Sequence, residues 1–210
     1  AHQKRFVRDA SHQLRTPLAV LRTQVQSALR GDVEPVQALN EINHTVARAS
    51  ELANQMLALA KVEQLRQQGD APVLDWSGVV RAVALDLAPL VVERRLDFSI
   101  DTVPVMVRAH EWALRELVRN LLHNAIKHAP PGSPLAVTLT IDAGDALLCI
   151  RDHGAGISAE LRQRLFQPFA AGGGTGDPRI GSRLGLAIGQ EIVLSLGGSI
   201  ALDNRRVFAS

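Results

Sequence analysis

Tyrosine is absent from these 210 residues, and the aromatic share is only 3%. A surface that stacks bases needs such rings at intervals, so a single-stranded nucleic acid is a poor partner for this chain. Charge points the same way. The 23 basic and 21 acidic residues leave a formal net charge of +2, with no basic excess to match a phosphate backbone. We therefore expect no nucleic-acid partner. The single cysteine, Cys149, excludes an internal disulfide and a cysteine cage for a metal, and fits a reducing compartment. It falls in an expected strand and reads as an inert core thiol. No apolar run nears the roughly 18 residues that span a bilayer, and no signal-peptide pattern opens the chain. Its abrupt start reads as a piece of a longer protein.

What is present is ordinary globular composition, 46% hydrophobic and 21% charged, enough for one domain or two small ones. Apolar residues recur at Phe6, Ala10, Leu14, Leu18, Leu21, Val25 and Leu29 in steps of three or four, one stripe along a helix. Gly31 and Asp32 break it, and Pro35 suits the first turn of a second helix. That helix carries Val36, Leu39, Ile42, Val46, Ala49, Ala53, Met56 and Ala60 at the same spacing. Two such helices form an antiparallel hairpin with too little core to stand alone, and two hairpins make a four-helix bundle. Residues 1–66 are thus expected to be a dimerisation hairpin and 67–72 a linker.

Beyond the linker the texture becomes α/β, expected over 73–210. Val73–Trp76 reads as a short strand, and Ser77 as the N-cap of a helix reaching Val92. Leu96–Asp101 and Val105–Arg108 read as strands, His110–His128 as a helix, and Leu135–Ile141 with Ala146–Arg151 as a hairpin. A short helix is expected near Ala159–Leu165, a glycine-rich loop over 170–183 and a last helix over 184–196. Twelve of the 16 glycines fall between residues 144 and 198, concentrating backbone freedom where a ligand would need it.

Four segments carry candidate chemistry. In the first run, His12 sits beside Gln13 and ahead of Thr16 and Pro17, and an interior proline costs a helix about 3 kcal/mol. Glu116, Asn120 and Asn124 are spaced by four, so they share one helix face; their oxygens suit a hard cation such as Mg²⁺, and Lys127 could reach a phosphate. Taken alone, that face reads first as the polar outer side of an amphipathic helix. Asp152, Gly154 and Gly156 follow an apolar strand, an arrangement that lets backbone approach a planar ligand, though many turns share it. Phe166 and Phe169, the glycines of 172–176, then Gly181, Arg183, Leu184 and Gly185 lead into a helix. Glycines ahead of a helix N-terminus can cradle a phosphate, or form a plain surface loop.

Order decides among these readings. The run from Phe6 to Leu18 resembles the H-box F-x-x-D-x-S-H-E-L-R-T-P-L of bacterial sensor histidine kinases at every position but Gln13. The later segments resemble, in sequence, the N, G1, F and G2 boxes of their ATP-binding domain. That domain has the Bergerat fold shared with gyrase and Hsp90-type ATPases. The chain is therefore identified as resembling a HisKA/HATPase_c catalytic core, with the stretch from His12 to Gly31 similar to the tricarboxylate-sensing branch.

The resemblance implies an α+β fold: a helical hairpin, a four-helix bundle as dimer, then an α/β-sandwich ATP-binding domain. It implies that His12 accepts phosphate from ATP and passes it to an aspartate of a response-regulator receiver domain. Thr16 would orient water in dephosphorylation. Asn120 would bind Mg²⁺ with Glu116 and Asn124 completing the site. Lys127 and His128 would face the phosphates, and Asp152 would take the adenine amine beside Gly154 and Gly156. Phe169 would belong to a lid spanning about 167–183, with Gly181, Arg183, Leu184 and Gly185 around the triphosphate. The setting implied is the cytoplasmic portion of a bacterial inner-membrane sensor, membrane-bound only through upstream segments.

Three departures bear on activity. Gln13 replaces the usual acid beside the histidine, and a neutral acceptor is roughly half as strong as a charged one. Arg183 stands where the pattern has glycine, at a cost of about 1 kcal/mol if that backbone is left-handed, so altered nucleotide binding is expected. After Leu202 no final strand is evident, which would leave a bare sheet edge. The alternative is a weakened kinase acting as regulator phosphatase or dimeric scaffold. A dinucleotide reading of Gly154-Ala155-Gly156 fails because a glycine-rich segment follows instead of a long helix. Walker and protein-kinase signatures and H-E-x-x-H are absent. His44, His110, His123 and His153 read as surface or packing residues.

Overall fold

The computed structural model describes residues 2–69, 71–158 and 180–204. Its element order is α1 (His2–Arg30), α2 (Pro35–Gln68), β1 (Val73–Asp75), α3 (Trp76–Glu93), β2 (Asp97–Thr102), β3 (Met106–Arg108), α4 (Glu111–His128), β4 (Pro134–Asp142), β5 (Asp145–Arg151) and α5 (Ile180–Ser195).

The two long helices form the hairpin that their stripes require. Pro17 lies inside α1 without ending it. Gly31 at φ +75° stops it: its N–H donates to the Ala28 carbonyl at 3.1 Å and that of Asp32 to the Ser27 carbonyl at 3.1 Å, the paired bonds of a Schellman cap. Glu34 then caps α2, accepting from the Gln37 N–H at 2.9 Å, and Pro35 enters the first turn. Several stripe residues stay exposed in the single chain, among them Leu18, Val25, Leu29, Val36 and Leu39.

The second region builds on a three-stranded sheet in the order β2-β4-β5. β2 pairs parallel to β4 and β4 antiparallel to β5. A parallel pair needs a crossover, and α4 supplies it between β2 and β4. The two-residue loop Ala143-Gly144, both at positive φ, closes the β4–β5 hairpin, as a type I′ turn demands. One face of β4 buries Leu135, Val137 and Leu139 under α3 and α4, whose Val80, Val83, Leu114, Val118 and Leu122 are fully enclosed. Ile188 and Ile192 of α5 complete that layer. Ala58 and Val62 of α2 belong to the same core cluster, and Lys61 Nζ sits 4.5 Å from the Trp112 ring centroid. The packing thus crosses the expected 67–72 linker.

The N-cap of α3 is Asp75, two residues before the expected Ser77. Asp75 Oδ1 accepts from the Ser77 N–H at 3.0 Å and the Val105 N–H at 3.1 Å, while Oδ2 accepts the Ser77 hydroxyl at 2.7 Å. Ser77 is fully buried and serves the cap as a donor. The Ser77 hydroxyl and the Val105 amide, with lesser help from the Ser77 amide and the Arg81 charge, hold the Asp75 carboxyl below its usual 3.8 against an opposing desolvation. A depressed folded value stabilises above the unfolded pKa and is lost as pH falls through the folded one. Thermal melts should therefore separate wild type from Asp75→Asn at neutral pH, and the gap should close as acid takes the solution below 3.8.

Two further expectations change. The last helix starts at Ile180, so Gly181 and Arg183 lie in its first turn. Arg183 has helical backbone and carries no left-handed strain. The expected helix at 159–165, Phe169 and the loop through 179 lie outside the described residues. After α5 no strand follows among the described residues up to Asn204.

Candidate nucleotide site

Helix α4 carries the polar ladder, and α5 closes on it. Asn120 Nδ2 donates to Glu116 Oε1 at 3.0 Å. A carboxylate only accepts, so this bond fixes which end of the Asn120 amide is nitrogen and leaves its carbonyl oxygen turned away from Glu116. That oxygen faces Gly185 of α5. A Cβ built on Gly185 would lie 3.2 Å from Asn120 Oδ1, tighter than ordinary contact, so any larger residue there presses on the Asn120 amide. One turn further, Asn124 Oδ1 is buried with no hydrogen-bond partner among the described residues. An acceptor left so costs about 1–3 kcal/mol unless a ligand satisfies it.

Asn120, Asn124 and Gly185 line a small polar cleft with Glu51, Gln55, His123 and Lys127. Glu51 and Gln55 come from α2, linked by a 3.2 Å bond from Gln55 Nε2 to Glu51 Oε1. Nothing in their local sequence marks them, since a Glu and a Gln four apart on a helix read as a solvated face. His123 borders the cleft too, where the sequence read it as a surface or packing residue. Partial burial pushes its imidazole below the usual 6.5, helped by Lys127 and Arg119 and opposed by Glu51.

At the far end of α4 the chain after β5 passes close by. The Gly154 N–H donates to Asp152 Oδ1 at 2.7 Å, a tight turn closed by the side chain. A Cβ on Gly154 would meet Asp152 Oδ1 at 2.8 Å and the His128 carbonyl oxygen at 3.1 Å, so glycine alone fits between them. Gly156 has φ +78°, the left-handed region. His153, read as a surface or packing residue, lies with Nδ1 3.0 Å from the Pro134 carbonyl oxygen.

The structure thus brings Asn120, Asn124, Lys127 and Gly185 to one cleft, with Glu116 bonded to Asn120. Gly154 packs against Asp152 and the His128 carbonyl at the end of α4, and Gly156 follows in the same loop. His12 and Gln13 lie on α1, and Gly181, Arg183 and Leu184 in the first turn of α5; the described structure places only the backbones of these five. Thr16 is exposed on α1, and Phe169 lies outside the described residues. Where donors are described they suit the group expected there. Two amide oxygens, one of them buried and unsatisfied, stand beside a lysine, a set that fits a Mg²⁺-bound phosphate.

A helical hairpin followed by a sheet whose crossover helix bears an asparagine ladder defines a phosphoacceptor–ATPase pair. Residues 2–65 match the His Kinase A (phospho-acceptor) domain, and residues 109–207 match the histidine kinase-, DNA gyrase B- and HSP90-like ATPase, an ATP- and Mg²⁺-binding fold type. The chain belongs to the bacterial two-component sensor histidine kinases, with a HisKA/HATPase_c catalytic core. Over 207 residues it is 33% identical to the sensor protein kinase PmrB of Pseudomonas aeruginosa, covering 95% of this chain and 42% of PmrB. The histidine kinase AdeS of Acinetobacter baumannii superposes with a TM-score of 0.71 at 25% identity, over 92% of this chain and 91% of that one. The mycobacterial sensor histidine kinase MprB is 32% identical with a TM-score of 0.50, over 61% of this chain and 82% of that one. The chain spans less than half the length of PmrB. No described helix is long and apolar enough to cross a membrane.

Proposed function

We propose that this chain is the ATP-dependent autokinase core of a two-component sensor, acting as a homodimer. It transfers the γ-phosphoryl group of ATP to His12 and then to an aspartate of a response-regulator receiver domain. The observation that carries this reading is the cleft where Gly185 closes on Asn120 beside the unsatisfied Asn124 oxygen. Asn120 and Asn124 would hold Mg²⁺, with Glu116 orienting Asn120 through its 3.0 Å bond. The ion, when bound, spreads the charge that builds on the phosphate oxygens. Lys127 and His128 would face the phosphates, Asp152 would accept from the adenine amine, and Gly181, Arg183, Leu184 and Gly185 would bracket the triphosphate at the start of α5. The exposed stripe of α1 and α2 offers the second hairpin its packing surface. The membrane would be reached through segments upstream of this core, leaving it on the cytoplasmic side.

In the first step a neutral imidazole nitrogen of His12 bonds to the γ-phosphorus as the bond to the β-phosphate oxygen breaks and ADP leaves. Such transfer is mostly positioning and charge stabilisation. The other ring N–H must be held, and Gln13 offers only a neutral carbonyl for it, about half as strong an acceptor as a carboxylate. Gln13→Glu should therefore raise the autophosphorylation rate several-fold; an equal or lower initial rate would refute this role. Incubation with γ-labelled ATP and Mg²⁺ tests the whole reading. Acid-labile, base-stable label supports the kinase. Absence of label, with no ATP binding by calorimetry, would leave a dimeric scaffold, and Thr16 beside His12 would then matter only for phosphatase action on the regulator.

A further inference from the structure

The chain beyond α5 forms no strand among its described residues, yet Asn204 makes a specific long-range contact there. Its side-chain amide pairs with both backbone groups of Ile157, 47 residues away. The Ile157 N–H donates to Asn204 Oδ1 at 2.8 Å, and Asn204 Nδ2 donates to the Ile157 carbonyl oxygen at 2.6 Å. A primary amide presents one acceptor and two donors in a plane, so it reproduces the two bonds a neighbouring strand would make to one residue. Gly156 presses on the same amide: a Cβ there would lie 3.1 Å from Asn204 Oδ1 and 3.3 Å from its Cγ. The loop from Asp152 to Ile157 is thus tied at both ends. The near tie is the local bond from Gly154 to Asp152, and the far tie is this single side chain.

We infer that Asn204 is a positioning residue for the adenine end of the nucleotide site, acting through Ile157 and Gly156. This rests on the reading that the Asp152–Ile157 loop holds the base. Both bonds are solvent-exposed, so their share of global stability is small. Their effect falls on the loop. A loop ordered before the ligand arrives does not take its ordering entropy from the binding step, and affinity rises accordingly.

The test uses the full chain, with ATP and GTP in the presence of Mg²⁺ as probes. Asn204→Ala should weaken ATP binding roughly tenfold, from two lost hydrogen bonds partly replaced by water, and shrink the preference for ATP over GTP. In the ligand-free protein the Ile157 amide should exchange with solvent faster, while the unfolding temperature holds. Asn204→Asp keeps the acceptor but sets a carboxylate oxygen against the Ile157 carbonyl, so it should bind ATP at least as poorly as Asn204→Ala. Wild-type affinity in Asn204→Asp would mean that the side chain only fills space, and would overturn the inference. So would unchanged ATP affinity in Asn204→Ala together with faster Ile157 exchange. Asp152→Asn separates the two levels. If it leaves ATP affinity intact, the base-binding reading fails and this inference falls with it. If it abolishes binding while Asn204 variants bind normally, only the positioning role is refuted.

Discussion

His12→Gln should reduce acid-labile labelling from ATP to background while ATP affinity stays within about twofold of wild type. The imidazole has a free lone pair at neutral pH, because its unperturbed pKa is about 6.5. The nitrogen of a glutamine side chain has its pair delocalised into the carbonyl and is no nucleophile. Glutamine is a good helix former, so α1 from His2 to Arg30 should keep its backbone, and the hairpin its packing. ATP affinity is insulated because the cleft is built from α4, α5 and α2 residues Glu51 and Gln55, none of them on α1. The two readouts therefore part: chemistry is lost and binding survives. Label persisting in His12→Gln would place the phosphoacceptor elsewhere, with His44 on α2 the next to examine. Loss of both labelling and binding would mean that α1 supports the nucleotide site, contrary to the geometry of the cleft.

Much of this architecture was legible because local rules set it. The three-and-four spacing from Phe6 to Leu29 gave α1, and Gly31 stops it in the left-handed conformation that only glycine adopts without cost. The ladder Glu116, Asn120, Asn124 fell on one face of α4 because 3.6 residues make a turn, and the bond from Asn120 to Glu116 follows from that spacing.

What sequence reasoning missed depends on contacts between distant residues. Asp75 and Ser77 are both good caps two residues apart, and nothing local chooses between them. The choice is made by Val105, 30 residues on, whose N–H reaches Asp75 Oδ1 once β1 pairs with β3. The start of α5 at Ile180 was hidden because Gly181 and Ser182 read as loop, though a first helical turn tolerates both. Glu51 and Gln55 face the cleft only because α2 packs on α5. Asn204 meets Ile157 by the return of the chain after α5, and a lone Asn in a polar stretch announces no such partner.

Gly185→Ala should cost ATP affinity between about tenfold and a hundredfold, the range typical for disturbing the support of a metal ligand, while the unfolding temperature stays level or rises. The two effects have separate causes. Alanine is a better helix residue than glycine by roughly 0.8–1 kcal/mol, and Gly185 lies inside α5. Its new methyl, however, would sit 3.2 Å from Asn120 Oδ1 and 3.6 Å from Cγ, closer than comfortable contact. The Asn120 amide must then give by a few tenths of an ångström, straining its 3.0 Å bond to Glu116 and shifting its oxygen from the position that would meet Mg²⁺. Gly78→Ala is the control: Gly78 lies in α3, and a Cβ there meets nothing within 4 Å, so it should gain stability and leave ATP affinity alone. A double-mutant cycle isolates the contact. In an Asn120→Ala background the methyl has room, so Gly185→Ala should add no further loss; a full additional loss there would show that Gly185 acts on the triphosphate directly and not through Asn120.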